Sequence, residues 1–502
     1  MKKPLVSLLA ISLALGPVAL SAEENPEDYD AVEAVGEQVE RIKRYNDGDV
    51  GLNAVITYSY TAGFKAREMS DVGILRGRTV LVKDNIETEE FPTTAGSLAL
   101  RYNFTRRDAP LIANMRAAGG VVLGKTNLSE WANIRSNAST SGWSAVGGLT
   151  RNPHAIDRNS CGSSSGSGSA VAAGFAWGAI GTETNGSITC PASINGVVGF
   201  KPSVGIVSRT HVVPISSTQD TAGPMTKTVH DAALLLTAIA GADSADAASL
   251  DAVRVNDYTA GLADYSLEGV RIGVMREQIG SNAQVASVFE RALDDLEAAG
   301  AVLVDVEHEP NSEMFGNSFT VLMYELREEM GKYLASIPDI DGDETPRTLA
   351  DLIAFNSANA DTELRWFDQS LFELAEETTD REAYETARET AVRIAGKETL
   401  DMLFEAHNVQ FLVSPTRGPA WMSDLVLGDQ FNGSIGFGSP SAIAGYPHLT
   451  VPMGHVEQLP VGISFFGAKW ADHDVLKAGA AYERARSAEL PTPSFKRWSP
   501  ES

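Results

Sequence analysis

The chain has 502 residues, 43% of them hydrophobic, enough to bury a large core in one big domain or several average ones. Its 66 acidic against 40 basic side chains leave a formal net charge of −26, which repels phosphate backbones and excludes nucleic acid as a partner. Two cysteines, Cys161 and Cys190, exclude a disulfide scaffold and a CxxC metal site.

The first 22 residues read as an export signal: Lys2 and Lys3, an apolar run over 5–15, Gly16-Pro17, then the small-residue stretch 19–22. The apolar run is too short to span a bilayer, so no stable membrane insertion is expected after cleavage, and the protein is expected in the periplasm or secreted. Residues 23–63 carry acidic helical patterning and read as an N-terminal arm to a domain spanning 64–502. In that domain 77–82 is a predicted strand with Lys83-Asp84-Asn85 at its end, 109–118 a helix closed by Gly119-Gly120, and 121–123 a second strand.

Residues 161–174, CGSSSGSGSAVAAG, have the composition of a flexible linker. They run without a break into the small apolar residues 170–176, which suit a tightly buried helix, so the tract is expected to open a core element. A strand at 178–182, a helix at 228–240, a strand at 270–275, a helix at 284–299 and a strand at 302–306 continue the alternation. From 313 to 407 the pattern is helical and highly charged, and β-type segments resume at 409–413, 448–452 and 462–466. The expected architecture is a single large α/β/α layered domain with a mixed central sheet and a helical excursion at 313–407.

The eight histidines show no HExxH and no cluster at ligand spacing, residues 181–187 lack a phosphate-loop pattern, and no SxxK occurs. Gly162-Ser163-Ser164-Ser165-Gly166 does satisfy GxSxG, which makes Ser164 a candidate α/β-hydrolase nucleophile with His448 or His473 as base. The preceding RNPHAIDRNSC is polar and carries Pro153, where that elbow needs a buried strand.

Taken together, VKDNIET at 82–88, the 161–174 tract and GTETNGSITCPASINGVVGFKPSVG at 181–205 resemble the amidase signature family of serine hydrolases. Further matches are KTNLSEWAN at 125–133, QDTAGPM at 219–225, FLVSPT at 411–416 and LPVGISFFG at 459–467. The wording around both serine segments is most similar to the family's peptide amidase branch, whose members hydrolyse the C-terminal amide of peptides; general small-amide amidases are the alternative. The resemblance implies a Ser-Ser-Lys triad with Ser187 as nucleophile, Ser163 as the bridging serine after a cis Gly162–Ser163 bond, and Lys83 as base. It implies an oxyanion hole from the backbone N–H groups of Thr184, Asn185, Gly186 and Ser187. It implies no metal or organic cofactor, and a small-molecule or short peptide amide as substrate.

Lys83 must be neutral to accept a proton, so burial has to bring its pKa down from about 10.4 toward neutrality. The chain departs from the family wording at Cys161 and Asn185, which stand for glycines, and at Thr189, which stands for an arginine. Because Cys161 and Cys190 flank serines that the triad brings together, they are expected near each other, as a disulfide or as two buried thiols. The helical excursion is expected to wall the cleft, its acidic residues either solvated or facing a peptide's amino terminus.

Overall fold

This computed structural model describes residues 29–338, 345–431 and 433–500; the export signal expected at 1–22 lies outside them. The strands are β1 (Val55–Tyr58), β2 (Thr79–Lys83), β3 (Val121–Thr126), a small hairpin of β4 (Trp143–Ser144) and β5 (Gly148–Leu149), β6 (Gly178–Glu183), β7 (Val198–Lys201), β8 (Thr221–Thr226), β9 (Arg271–Val274), β10 (Val302–Asp305), β11 (Phe411–Pro415), β12 (His448–Val456) and β13 (Leu459–Phe466). Among the described residues, all but the hairpin join one sheet in the order β1-β3-β2-β6-β8-β7-β12-β13-β11-β9-β10.

The sheet is mixed. β2 runs parallel to β3 and β6, and β9 parallel to β10 and β11, while the other pairings are antiparallel. β2 shows why it is central: every residue of TVLVK is buried, as a strand covered on both faces requires. Successive side chains point to opposite faces, so Val80 and Val82 pack with Ile112, Leu235 and Phe289 of one helical layer. Leu81 packs instead with Val35, Ala170 and Ala192 of the other layer. The α/β/α layering expected from the alternation is therefore the observed one.

Besides the β4–β5 hairpin, three strands of the large sheet escape a reading of pattern alone. β1 comes from the acidic N-terminal segment and pairs antiparallel with β3. β7 and β8 lie in GVVGFKP and DTAGPM, where glycine and proline mask the β signal and neighbouring strands supply the pairing. The excursion is helical as expected, with helices Ser312–Ser336, Leu349–Ala358, Ser370–Glu377 and Arg381–Ala395. Leu326, Met330, Leu352 and Phe372 form its own core against Leu100 and Trp131 of the body.

Candidate active site

β2 and β6 are parallel neighbours, so their C-terminal ends, Lys83 and Glu183, emerge at the same edge of the sheet, where ligands commonly bind in α/β folds. The serine tract reaches that edge from one face. It is no linker: the helix Ser165–Ala172 is buried almost throughout, and a methyl group at Gly166 would run into the carbonyl oxygens of Ala54 and Asn127. Two of its hydroxyls are committed to neighbouring backbone, Ser167 donating to Ile180 O at 3.2 Å and Ser169 to Arg151 O at 2.8 Å.

Ser164 is wholly buried, donates to Thr182 O (3.1 Å) and accepts from Thr182 N (3.2 Å). A buried hydroxyl bound on both sides to one strand is a structural fastener, so the nucleophile-elbow reading fails. His448 instead contacts Ser464 Oγ (2.7 Å) and His473 the carbonyl of Ala260 (2.8 Å).

Lys83 is fully buried. Its Nζ lies 2.8 Å from Ser163 Oγ, 2.7 Å from Thr182 Oγ1 and 3.2 Å from Thr182 O. Asn85 Nδ2 donates to the same Thr182 Oγ1 at 3.0 Å. Burial pushes the Lys83 pKa down to about 7, only partly opposed by the carboxylates of Asp220 and Glu183. As a free amine Lys83 has two N–H donors and one lone pair; with both donors on Thr182, the lone pair faces the Ser163 hydroxyl.

Ser163 follows a cis Gly162–Ser163 peptide bond, and its carbonyl accepts from Ser129 N at 3.0 Å. Ser187 sits in the turn after β6, partly exposed, tied to the tract by Ser164 N–H to Ser187 O (3.1 Å). Its hydroxyl makes no hydrogen bond to a described residue, Ser163 included, and is free toward a cleft of about 560 Å³. The structure thus joins Lys83 and Ser163 directly and ties the Ser187 backbone to Ser164, the residue after Ser163, at the wall of the cleft.

The turn itself is braced at both ends. Thr184 Oγ1 donates to Asp220 Oδ1 at 2.6 Å, and Glu183 Oε2 accepts from Ile188 N (2.7 Å) and Thr189 N (3.0 Å). Thr189, standing where the family wording has arginine, also directs its hydroxyl to Glu183 Oε2 at 3.3 Å. Gly186, not Asn185, takes the left-handed conformation, with φ +86°, so asparagine replaces a glycine here without demanding special backbone angles. The N–H groups of Asn185, Gly186 and Ser187 have no acceptor among the described residues.

Of the two arrangements open for the cysteines, the structure has the disulfide: Cys161 and Cys190 are bridged with Cα atoms 6.0 Å apart, stapling the serine tract to the Ser187 turn. Both sulfur residues line the cleft. The excursion contributes Phe319, Leu322, Trp366 and Leu371 to the wall, so its apolar side faces the site while its acidic residues face elsewhere. A second hollow of about 390 Å³ lies beyond Thr184 and Ile215 and reaches Asn85 and Thr182 but not Ser187.

Thr182, Asp220 and Arg417 are the site residues that sequence reasoning did not single out. Asp220 lies within the quoted QDTAGPM and Arg417 directly follows FLVSPT, so both were adjacent to a signal; Thr182 reads simply as a strand residue.

The chain matches the profile of the amidase family over residues 33–476. It is 34% identical over 434 residues to a probable amidase of Arabidopsis thaliana, covering 84% of this chain and 79% of that protein. Among solved structures it resembles the native peptide amidase of Stenotrophomonas maltophilia, with 43% identity, a TM-score of 0.87, and coverage of 93% and 96% of the two chains. An amidase family protein from Bacillus anthracis is 33% identical with a TM-score of 0.83, over 93% and 90% of the chains. A wholly buried lysine bonded to one serine, a second serine at a turn of free N–H donors, and likeness along nearly the whole chain lead to one conclusion: this protein belongs to the amidase signature family and is an amide-hydrolysing enzyme.

Proposed function

We propose that the enzyme deamidates the C-terminal amide of short peptides, R–CO–NH₂ + H₂O → R–COO⁻ + NH₄⁺, with Ser187 as nucleophile, Ser163 as proton relay and Lys83 as base. The observation that carries this reading is the fully buried Lys83 held 2.8 Å from Ser163 Oγ with its pKa lowered to about 7. A serine hydroxyl is a weak nucleophile until a base takes its proton.

When substrate fills the cleft, the Ser187 hydroxyl turns toward Ser163 and passes its proton through Ser163 to the Lys83 amine. Contacts of this kind are commonly looser in ligand-free sites and tighten with substrate. The alkoxide attacks the amide carbon, and the oxygen of the tetrahedral intermediate takes bonds from the N–H groups of the 184–187 turn. Lys83 returns the proton through Ser163 to the leaving nitrogen, ammonia departs, and water, deprotonated along the same path, hydrolyses the acyl-enzyme.

Peptide amides are favoured over small amides on two grounds. The cleft, at about 560 Å³, has room beyond a two- or three-carbon acyl group. The chain is also 44% identical to a peptide amidase that was crystallised with the competitive inhibitor chymostatin.

Ammonia release from a panel of amides tests both halves. Ser187→Ala is expected to lose at least about a thousandfold in kcat. A C-terminally amidated dipeptide or tripeptide is expected to exceed propionamide in kcat/KM, because remote contacts contribute to transition-state binding, and internal peptide bonds are expected to survive. Retained ammonia release by Ser187→Ala overturns the mechanism; preference for propionamide overturns the substrate class alone.

A further inference from the structure

Arg417 follows β11 directly, past Thr416, whose N–H donates to Gly462 O at 2.7 Å and whose Oγ1 lies 2.6 Å from Thr450 Oγ1. This pinned backbone sends the Arg417 side chain into the cleft. Its Nη2 lies 3.8 Å from the point where a Cβ on Gly186 would stand, which places the guanidinium over the turn that carries the free N–H donors.

The guanidinium is poorly compensated. Arg417 is only partly exposed, yet it makes no hydrogen bond and no ion pair with any described residue. The Phe431 ring lies 5.2 Å from its Cζ. Glu183 attracts it from a distance without forming an ion pair: Glu183 Oε2 is taken by Ile188 N and Thr189 N, and Glu183 Oε1 is buried with no hydrogen-bond partner. An arginine side chain stays charged throughout the working pH range.

Asp429, the acidic residue that lines the same cleft, is already occupied: its carboxylate accepts from Ser141 N at 3.1 and 3.2 Å, Asn159 Nδ2 at 3.4 Å and Trp421 Nε1 at 3.2 Å. Much of the remaining wall is apolar, including Phe319, Trp366, Leu425 and Val426. A protein of net charge −26 therefore presents an unpaired cation at its reaction centre.

A substrate that displaces water from this cleft buries that cation. Under a neutral acyl group the charge loses its hydration without a partner, which is unfavourable. A carboxylate matches the planar fork with two parallel hydrogen bonds and removes the deficit. We infer that Arg417 is a specificity-determining residue that binds a carboxylate on the acyl side of the substrate, so that the enzyme prefers amides bearing a neighbouring acidic group, in peptides the C-terminal amide of an aspartate or glutamate residue. The inference rests on hydrolysis at Ser187 in this cleft.

The test measures ammonia release by the wild type, Arg417→Met and Arg417→Lys on two matched pairs. One pair is alanyl-glutamic acid α-amide and alanyl-methioninamide; the other, with no peptide, is glutaramate and valeramide. In each pair the wild type is expected to favour the acidic member by about tenfold in kcat/KM, mostly through KM. Arg417→Met is expected to abolish that preference, and Arg417→Lys to keep part of it, since the charge remains but the fork is lost. In the wild type alone, raising salt to about 0.5 M is expected to raise KM for the acidic members selectively, a readout that needs no variant to fold.

Equal or better turnover of the neutral members by the wild type overturns the inference. An equal loss on both members in Arg417→Met does the same, because it assigns the side chain to the fold or to the common carbonyl. If the preference appears with glutaramate while both dipeptide amides are inert, the peptide reading falls and this one stands. If no amide is hydrolysed, both fall.

Discussion

A lysine accepts a proton only as the free amine, and the environment of Lys83 favours that form. Burial lowers its pKa to about 7, with Asp220 and Glu183 pulling the other way. The sign for activity follows directly. Below pH 7 the side chain is an ammonium with no lone pair for Ser163; above it the amine is free. With Lys83 as the proposed base, the kcat/KM profile is expected to rise about tenfold per pH unit on the acid side and to level off above about pH 7, where that side chain is deprotonated in the free enzyme. Stopped assays on a peptide amide from about pH 5 to about pH 9 check this; a flat profile through neutrality would remove Lys83 as the base. At this scale the sequence was informative about Lys83, Ser163 and Ser187, because the family wording surrounds each of them. Thr182 was hidden, since its role depends on β2 and β6 lying side by side.

Among the elements, the serine tract and the long helix of the excursion use glycine for opposite reasons. Gly166 packs against backbone of two other segments, and an added methyl group would meet Ala54 O and Asn127 O, neither of which is a flexible end. Gly166→Ala is expected to destabilise the protein by about 2 kcal/mol or more, as overpacking against fixed atoms does. Gly316 lies exposed in the helix Ser312–Ser336, and an added methyl group there would meet nothing within 4 Å. Gly316→Ala is expected to stabilise by about 0.5–1 kcal/mol through helix propensity and a less flexible unfolded chain. Urea titrations of both variants read the two signs side by side. Composition gives the first glycine to a linker, while intrinsic propensity disfavours the second in its helix. Neighbouring backbone in one case, and its absence in the other, decides what each glycine does.

Across the whole molecule, the excursion is held to the body by a buried ionic cluster. Arg135 and Glu130 of the body pair at 3.2 Å, and Arg135 Nη1 also donates to the carbonyl of Glu363. The Glu363 carboxylate accepts from Ser97 Oγ (3.0 Å) and Leu98 N (2.7 Å), closing the joint. Burial and the nearby Glu363 push the Glu130 carboxyl well up from its usual range, so the cation is what keeps two carboxyl groups together. Arg135→Met is expected to cost about 3–5 kcal/mol, the penalty of removing one partner from a buried ionic cluster. Because Trp366 and Leu371 of the excursion line the cleft, the same variant is expected to raise KM for peptide amides. Thermal unfolding together with steady-state kinetics checks both effects.

The sequence by itself determined the layered class and its local elements: β2 as a strand, the helix that grows from CGSSSGSGSAVAAG, the mixed sheet, and the three residues that carry the family's serine–lysine wording. These were legible because each depends on residues close in the chain, where period and motif record the environment. Only the tertiary structure decided that Cys161 and Cys190 are bridged, that Thr182 takes two of the Lys83 contacts, that the excursion turns an apolar face to the cleft, and that Arg417 arrives unpaired over Gly186. The physical reason is distance along the chain. Lys83, Ser163, Ser187 and Arg417 come from four separate segments, and the order in which β2, β6 and β11 take their places in one sheet sets which side chains meet and which charge is left without a partner.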